Sequence, residues 1–374
     1  EITVEGAAAA PGPQKSKNVG KKARKASDEP KLPSNLTRVE NRYFTFLVSP
    51  MGGRVLSLRS KFLNAELTDL QAETGTFSEF DWSRRGNKFF YRQKPFALKP
   101  FSGKGCTGLE ATGHHQGGGT DFLSITKKYT LFDDAAAFRV DYDFGNLQAA
   151  MSPQTYAMLI HSTLGIHGRL CSYYYPSDEG IVEIRRDRRP QERWIHRPVR
   201  GWMAAVDDLG RGVALTMPFR EVKCFYSWFA QDVVPTLEWR MIPIEIENGK
   251  SYRVSTEVIT FKGLSRVSGA GGGLVGEISG GTVKVFSARK GRVVAKAGGR
   301  AHALQFSAPG EVKSFKTSAT TVVLEKDGVE VCRLEAPPAK GPWTLLPLEP
   351  SRASDMKSFD LTCYTNFPHQ VCTP

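Results

Sequence analysis

Residues 43–61 read YFTFLVSPMGGRVLSLRSK, two short apolar runs joined by a proline and a pair of glycines. Within each run, apolar and polar residues alternate, as in a β-strand that buries one face. Gly52 and Gly53 permit the positive φ angles of a tight turn, because glycine lacks a Cβ. The stretch therefore predicts a β-hairpin.

Similar runs continue as far as Phe261, bounded by Gly, Pro, Asn and Asp. They include DFLSITKKYTLF, FRVDYDF, GVALTMPF, CFYSWFA and YRVSTEVITF. The best helical periodicity is the brief AAMSPQTYAMLIH, residues 149–161. Strands do not alternate with crossover helices, which disfavours a parallel α/β fold. Many strands and few helices predict an all-β protein built on a large antiparallel sandwich.

Composition divides the chain into three parts. Residues 1–39 are rich in Ala, Pro, Lys and Ser and predict a disordered leader. Residues 40–264 form the predicted sandwich. The glycine-dense VSGAGGGLVGEISGG then opens residues 265–374, a joint and a small immunoglobulin-like β-domain with an Asp327-Gly328 hairpin turn. The abrupt end, HQVCTP, suggests that the natural protein continues.

The net charge of +13 is spread along the chain, with +4 in residues 1–39, +4 in 40–264 and +5 in 265–374. Nucleic-acid binding needs basic residues gathered along a groove, so this distribution predicts no nucleic-acid partner. A mildly basic surface suits an acidic polysaccharide instead. No apolar run is long enough to span a bilayer.

The six cysteines lack the C-x-x-C spacing of a structural zinc site, so we predict no metal. Their even number favours disulfides and an oxidising compartment, although buried thiols fit as well. We therefore expect a secreted, periplasmic or cell-envelope protein. P-loop, dinucleotide and nucleophile-elbow motifs are absent from the sequence, and we predict no cofactor. The sequence leaves the oligomeric state open.

Three segments resemble the galactose mutarotase-like, or aldose epimerase, superfamily of β-sandwiches in the order that this superfamily has them. They are residues 43–61, GWMAAVDDLGRGVALTMP at 201–218, and TLEWRMIPIEIENGKSYRVSTEVITF at 236–261. The resemblance implies a large antiparallel supersandwich over residues 40–264. The superfamily contains epimerases, accessory domains of glycosidases and parts of polysaccharide lyases, so the fold alone leaves the function open.

The resemblance also implies a catalytic pair. Aldose epimerases use a Glu that takes the anomeric proton and a His that protonates the ring oxygen. Glu238 falls where the superfamily carries its Glu, and His161 falls near its His. The superfamily's Asn and aromatic neighbours after that His are absent here. Glu238 paired with an arginine such as Arg240, or His161 as a core residue, are the structural alternatives, and His167 could also serve.

Aromatic rings beside charged residues are typical of sugar sites, since a ring packs on the C–H face of a pyranose. Trp82 and Trp194 both stand among charged residues. The predicted substrate-binding set is Trp82, Arg92, Arg193, Trp194 and His196. Ordinary loop surface is the alternative for these residues.

The favoured hypothesis is a carbohydrate-binding module of an exported polysaccharide-processing or cell-surface protein. An aldose 1-epimerase using Glu238 and His161 is the first alternative. A lyase or glycosidase accessory domain for acidic glycans is the second, with Tyr173, Tyr174 or Tyr175 as base and Arg185 against the substrate carboxylate. A structural or interaction β-protein is the third.

Overall fold

The computed structural model describes residues 32–68, 70, 75–81, 89–115, 123–146, 154–185, 191–229 and 236–337. These residues form an almost entirely β structure, in which every strand pairing is antiparallel. The predicted all-β class and the large antiparallel sandwich are therefore confirmed. The predicted leader lies mostly outside the described residues, and so does the end of the chain from residue 338.

The strands of the first half are β1 Thr37–Glu40, β2 Phe44–Val48, β3 Val55–Ser60, β4 Ala65–Glu66, β5 Thr76–Asp81, β6 Phe89–Phe90, β7 Ala97–Gly103, β8 Cys106–His115, β9 Leu123–Phe132, β10 Ala137–Asn146, β11 Gln154–Tyr156, β12 Met158–Ser162, β13 Cys171–Ser177, β14 Gly180–Arg185 and β15 Gln191–Ile195. Two short 3-10 helices lie at Tyr91–Gln93 and Phe219–Glu221.

The remaining strands are β16 Trp202–Asp207, β17 Arg211–Thr216, β18 Val222–Phe229, β19 Glu238–Met241, β20 Ile244–Ile246, β21 Ser251–Lys262, β22 Gly269–Gly271, β23 Leu274–Ser279, β24 Thr282–Ser287, β25 Gly291–Ala297, β26 Arg300–Phe306, β27 Glu311–Lys316, β28 Thr321–Lys326 and β29 Val329–Glu335.

Two large sheets make up the main sandwich. The described part of the first has ten strands in the order β1-β2-β3-β5-β12-β19-β18-β15, with β4 and β6 at its side. The second has nine, in the order β14-β13-β16-β17-β21-β10-β9-β8-β7. One apolar core, which includes Phe46, Phe138, Tyr173 and Trp239, fills the space between them. Alternate side chains of each strand enter this core, and the others lie on the outer faces.

The hairpin predicted over residues 43–61 is β2 and β3. Gly52 and Gly53 have φ angles of 78° and 52°, so both occupy the left-handed region that favours glycine. A Cβ on Gly52 would also lie 2.6 Å from the Arg92 Cα. Glycine is therefore required at position 52 both by its backbone angle and by the approach of a neighbouring segment.

A buried ion pair crosses the main core. Lys127 Nζ lies 3.0 Å from Glu79 Oε2, and both side chains are completely buried. The same ammonium donates hydrogen bonds to the carbonyl oxygens of Gly52 at 2.6 Å and Phe77 at 2.8 Å. Glu79 Oε1 has no hydrogen-bond donor among the described residues. The pair links β9 to β5 and to the Gly52 turn.

Strands β22 to β29 form a smaller unit, which we call the terminal sandwich. Its two four-stranded sheets, β22-β23-β24-β27 and β26-β25-β28-β29, enclose a core of their own. The Asp327-Gly328 turn between β28 and β29 forms as predicted, with φ angles of 50° and 78°. The immunoglobulin-like likeness and the boundary at residue 264 remain predictions.

A further apolar cluster joins the two sandwiches. Trp202, Ala204 and Phe261 on the outer face of the nine-stranded sheet pack in one buried group with Val275 and Phe286 of the terminal sandwich. Phe286 is fully buried, and its ring lies 6.0 Å from that of Phe62 and 6.2 Å from that of Phe261. We call this group the junction cluster, and it forms a buried core between the two sandwiches.

The structure answers two points that the sequence leaves open. The stretch 149–161 contains strands β11 and β12 in its described part, because its apolar residues pack against neighbouring strands on both sides. Cys106 and Cys332 are free thiols, so the six cysteines do not form three disulfides. Burial raises the pKa of the Cys332 thiol to about 12. Neither described helix has the length or apolar character to cross a bilayer.

Candidate functional site

Adjacent strands bring His161 and Glu238 into contact. Strands β12 and β19 pair with Ile160 opposite Trp239, which places His161 beside Glu238 on the next position of the ladder. His161 Nδ1 lies 2.9 Å from Glu238 Oε1, at hydrogen-bonding distance. The side chains are 10% and 4% exposed, so the pair is almost completely screened from solvent. We call these two residues the dyad.

The dyad lies on the outer face of the ten-stranded sheet. Ile160 and Trp239, the neighbours of the dyad residues along their strands, point into the main core. Successive side chains of a strand point to opposite faces, so His161 and Glu238 point away from that core. The dyad is therefore outside the interior where the Lys127–Glu79 pair lies.

Aromatic rings surround the dyad on this face. The Phe80 ring meets the His161 ring edge-on at 5.5 Å between centroids. Tyr226 of β18 is the cross-strand partner of Glu238, and the Trp194 ring lies 4.4 Å from the Tyr226 ring. Phe80 and Leu159 form a small apolar cluster against which Trp194 packs. We call this surface, His161, Glu238, Phe80, Leu159, Tyr226 and Trp194, the dyad face.

Two carboxylates shape the electrostatics of the dyad face. Tyr226 donates a hydrogen bond of 2.7 Å from its hydroxyl to Glu192 Oε1. Burial, the charge of Glu238 and the charge of Glu192, in that order, raise the pKa of Tyr226 well above its usual value. Tyr226 therefore stays a neutral hydrogen-bond donor at any ordinary pH and cannot act as a base.

The dyad has the elements of an acid/base pair. His161 Nδ1 is engaged with Glu238, while Nε2 is buried and has no hydrogen-bond partner among the described residues. A carboxylate that fixes one ring nitrogen orients the other for proton transfer. The arrangement can accept a proton on the carboxylate and deliver one from the imidazole. Buried polar atoms are normally hydrogen-bonded, so the lone Nε2 is notable in itself.

The other predicted binding residues do not all lie at the dyad face. His196 stacks on Trp194, with ring centroids 5.9 Å apart, and burial lowers the pKa of His196. Arg193 alternates to the opposite face, because it pairs with Ser227, whose hydroxyl meets that of Tyr175 in the main core. Arg92 lies in the 3-10 helix beside the Gly52 turn. Trp82 lies outside the described residues.

The tyrosines of the lyase alternative are buried. Tyr173 and Tyr175 enter the main core, and Tyr174 belongs to the junction cluster. Burial raises the pKa of both Tyr174 and Tyr175 above the usual value, so neither supplies a tyrosinate base near neutral pH. Arg185 is exposed and pairs with Glu183. His167 is half-buried beside Glu66, to whose carbonyl its backbone donates.

Phe80 and Tyr226 of the dyad face, and Glu192, which accepts a hydrogen bond from Tyr226, were not predicted from the sequence. A signal was present for Tyr226, since CFYSWFA places it on a strand with alternating aromatic residues. The sequence does not show that this strand pairs with the strand of Glu238, which is what brings Tyr226 to the dyad. Among the described residues, no three His, Cys, Asp or Glu side chains come together as a metal site.

No known protein family and no curated protein matches the chain. Similar solved structures do exist. Several of them are described as aldose 1-epimerases or as galactose mutarotase-like proteins. A galactose mutarotase-related enzyme from Lactobacillus acidophilus shares 12% identity, with a TM-score of 0.45 over 62% of this chain and 99% of its own.

A galactose mutarotase-like protein from Lactobacillus casei shares 11% identity, with a TM-score of 0.45 over 60% of this chain and 99% of its own. The Slr1438 protein from Synechocystis shares 11% identity, with a TM-score of 0.47 over 64% of this chain and all of its own.

Proposed function

We propose that this chain is a carbohydrate-active protein that interconverts the anomers of a sugar on the dyad face, as an aldose 1-epimerase does. The observation that supports this proposal is the hydrogen bond of 2.9 Å between His161 Nδ1 and Glu238 Oε1. It joins two groups that can take and give protons on one surface. Trp194, which is partly exposed, supplies apolar ring area for the C–H face of a sugar, and the nearly buried rings of Phe80 and Tyr226 pack around the dyad.

The reaction needs one proton removed and one supplied. The reaction begins with the dyad as an ion pair. The oxygen of Glu238 that does not contact His161 accepts the proton of the anomeric hydroxyl. His161 Nε2 donates its proton to the ring oxygen. The C1–O5 bond breaks as the C1=O1 bond forms, and the dyad becomes neutral. Rotation about C1–C2 and the reverse steps close the ring as the other anomer and restore the ion pair.

A second candidate is a sugar-binding module that performs no chemistry. The observation that favours it is the small exposure of the dyad, 10% for His161 and 4% for Glu238. In such a module the dyad would hold the Phe80 and Tyr226 rings in place. The aromatic rings alone would then retain the sugar.

The proposal also covers the class of glycan partner and the cellular location. A net charge of +13 supports acidic glycans as a partner class, because long-range attraction raises the rate of encounter with a polyanion. We propose an exported polysaccharide-processing or cell-surface protein, in a secreted or periplasmic location, as its context. Fractionation of the natural host with an antibody to this chain tests the location.

Replacement of the carboxylate tests the catalytic role. Glu238→Gln keeps the size of the side chain but removes the proton acceptor, so we expect anomer interconversion to fall about 100-fold or more. The measurement is polarimetry or proton NMR of freshly dissolved α-D-glucose and α-D-galactose. Glu245→Gln, an exposed position on β20, is the matched control and should retain the wild-type rate.

The outcomes separate the two candidates. A wild-type protein that binds these sugars without accelerating their interconversion supports the module. Acceleration that survives Glu238→Gln removes Glu238 from the mechanism. A folded wild-type protein that neither binds nor converts any sugar in a panel of neutral and acidic aldoses contradicts both candidates.

A further inference from the structure

A cleft of the described structure lies far from the dyad in the fold. It occupies the junction between the nine-stranded sheet and the terminal sandwich and has a volume of about 400 Å³. Such volumes are typical of small-molecule sites. The dyad is on the outer face of the other large sheet, so the main sandwich separates the two places. We call this cavity the junction cleft.

The walls of the junction cleft come from both sandwiches. Arg139, Trp202 and Glu257 line it from the outer face of the nine-stranded sheet, and Glu330 and Arg333 line it from β29. Two contacts fasten the walls together. Arg289 pairs with Glu257 at 2.7 Å, and Arg200 pairs with Glu335 at 3.4 Å. The cleft is thus a fixed feature of the junction.

Two donors in the cleft walls have no acceptor among the described residues. One is the indole Nε1 of Trp202, a residue that is only 2% exposed, and the other is Nε of Arg200. Both residues line the cleft and stand two positions apart in the chain. A buried N–H group without an acceptor destabilises the fold, because it has lost its hydrogen bonds to water and gained none in return. These two donors therefore favour a ligand that brings acceptor oxygens.

The remaining lining narrows the chemistry of that ligand. Arg139, Arg200 and Arg333 line the cleft and each pairs with a carboxylate, but Nε of Arg200 is left without an acceptor, which favours an anionic acceptor such as a carboxylate. Glu257 and Glu330 offer acceptors for hydroxyl donors. Phe219 is 48% exposed at the cleft and offers an apolar ring. A small carboxylate that also carries hydroxyl groups satisfies all three features.

We propose that the junction cleft is a second binding site, separate from the dyad face, for a sugar acid of the uronic-acid class. The carboxylate of the ligand accepts hydrogen bonds from Arg200 Nε and from the Trp202 indole. Its hydroxyls donate to Glu257 or Glu330, and Phe219 covers one face of the ring. This site stands whether or not the dyad is catalytic.

Methyl β-D-glucuronide is the probe, because its blocked anomeric carbon prevents any turnover at the dyad. Titration calorimetry of the whole chain should show saturable binding, about tenfold or more tighter than that of methyl β-D-glucoside or acetate. Nitrogen-15 spectra of the tryptophan indoles should show one resonance that moves downfield with the same affinity. Trp202→Phe identifies that resonance.

Matched variants locate the site. Arg200→Gln should weaken glucuronide binding about tenfold, because the charged donor is lost. Arg253→Gln on the same sheet face, where Arg253 is 80% exposed and pairs with Asp143, should bind as the wild type does. Glu238→Gln should also leave this affinity unchanged, whatever it does to sugar interconversion.

Several results overturn the proposal. One is the absence of saturable glucuronide binding to the folded wild-type chain at millimolar concentrations. Equal binding of acetate, which would indicate a general anion site, is another. If Glu238→Gln abolishes glucuronide binding, the ligand binds on the dyad face and not in the junction cleft. The indole titration uses the unaltered protein, so it decides the matter even if Arg200→Gln fails to fold.

Discussion

Glu79 has an environment very different from that of a carboxyl group in solution. Its carboxyl is completely buried, one of its oxygens lacks a donor among the described residues, and Lys127 is its counter-ion. Burial, partly offset by Lys127, raises the pKa of Glu79 from 4.5 to about 7. Burial also lowers the pKa of Lys127. The ionised pair is therefore less stable than its contacts alone suggest.

This environment predicts a pH dependence. The pKa of Glu79 is higher in the folded state, so the folded protein binds more protons than the unfolded one between pH 4.5 and about 7. The contribution of Glu79 to the free energy of unfolding is full below pH 4.5 and falls as pH rises through 7. The fall amounts to about 3 kcal/mol at about 1.4 kcal/mol per pKa unit.

Urea unfolding of the wild type and of Glu79→Gln measures this contribution, because glutamine does not titrate. The difference between the two free energies of unfolding should change with pH across the interval from 4.5 to 7. A difference that stays constant would show that Glu79 titrates at its ordinary pKa, and a difference that favours the wild type increasingly as pH rises would show that folding lowers this pKa.

The sequence singles out Glu238 and His161, which the structure brings into contact, but it gives no sign of the buried pair Glu79 and Lys127. Glu238 lies in one of the three segments that carry the mutarotase-like resemblance, whereas His161 lies outside them, and their contact follows from the pairing of β12 and β19. Lys127 lies in SITKKYTLF, where a lysine in an alternating strand indicates a solvent-facing position. Its burial depends on β5 and the Gly52 turn, which are distant in sequence. The alternation of apolar and polar residues within one strand does not show which distant segments will cover it.

At the scale of elements, the hairpin of β2 and β3 offers a controlled test of crowding. Gly52 and Gly105 have nearly equal φ angles, 78° and 75°. A Cβ on Gly52 would lie 2.6 Å from the Arg92 Cα, whereas one on Gly105 would meet no atom within 4 Å. The two glycines therefore differ in their surroundings and share the same backbone requirement.

We expect Gly105→Ala to lower the free energy of unfolding by about 1 kcal/mol, the cost of the left-handed conformation. Gly52→Ala should cost about 2 kcal/mol more, because the backbone near Arg92 has to move. Thermal unfolding followed by circular dichroism measures both. Equal effects of the two substitutions would mean that the Arg92 segment yields freely and that backbone angle alone selects glycine.

Hairpins were predictable where turn residues mark them. The Gly52-Gly53 and Asp327-Gly328 turns form where the sequence places them, and residues 201–218 fold as β16 and β17 around Gly210, with φ of 70°. Sheet order was not predictable from local pattern. Strand β12 lies between β5 and β19, so its neighbours come from distant parts of the chain. The same long-range pairing explains why a stretch with helical periodicity became β11 and β12.

At the scale of the whole molecule, the junction cluster predicts that the two sandwiches unfold together. Phe286 belongs to the terminal sandwich but is fully buried against Phe62 and Phe261 of the main one. We expect a single calorimetric transition for the wild type. Phe286→Ala should destabilise the protein by about 3–5 kcal/mol and separate the unfolding of the two sandwiches.

Val293→Ala is the control, because Val293 is buried in the terminal sandwich's own core. It should shift the shared transition to lower temperature without dividing it. Two well-separated transitions in the wild type, of which Phe286→Ala alters only one, would show that the junction does not couple the sandwiches.

The Lys127–Glu79 pair also constrains how this protein can evolve. Each charge is tolerable in the interior because the other is present, and removal of one alone strands an uncompensated ion at a cost of about 3–5 kcal/mol. A lineage can exchange the pair for apolar residues only by two changes that arrive nearly together. Among natural homologues, positions 79 and 127 should accordingly covary, with acid and base retained jointly or lost jointly.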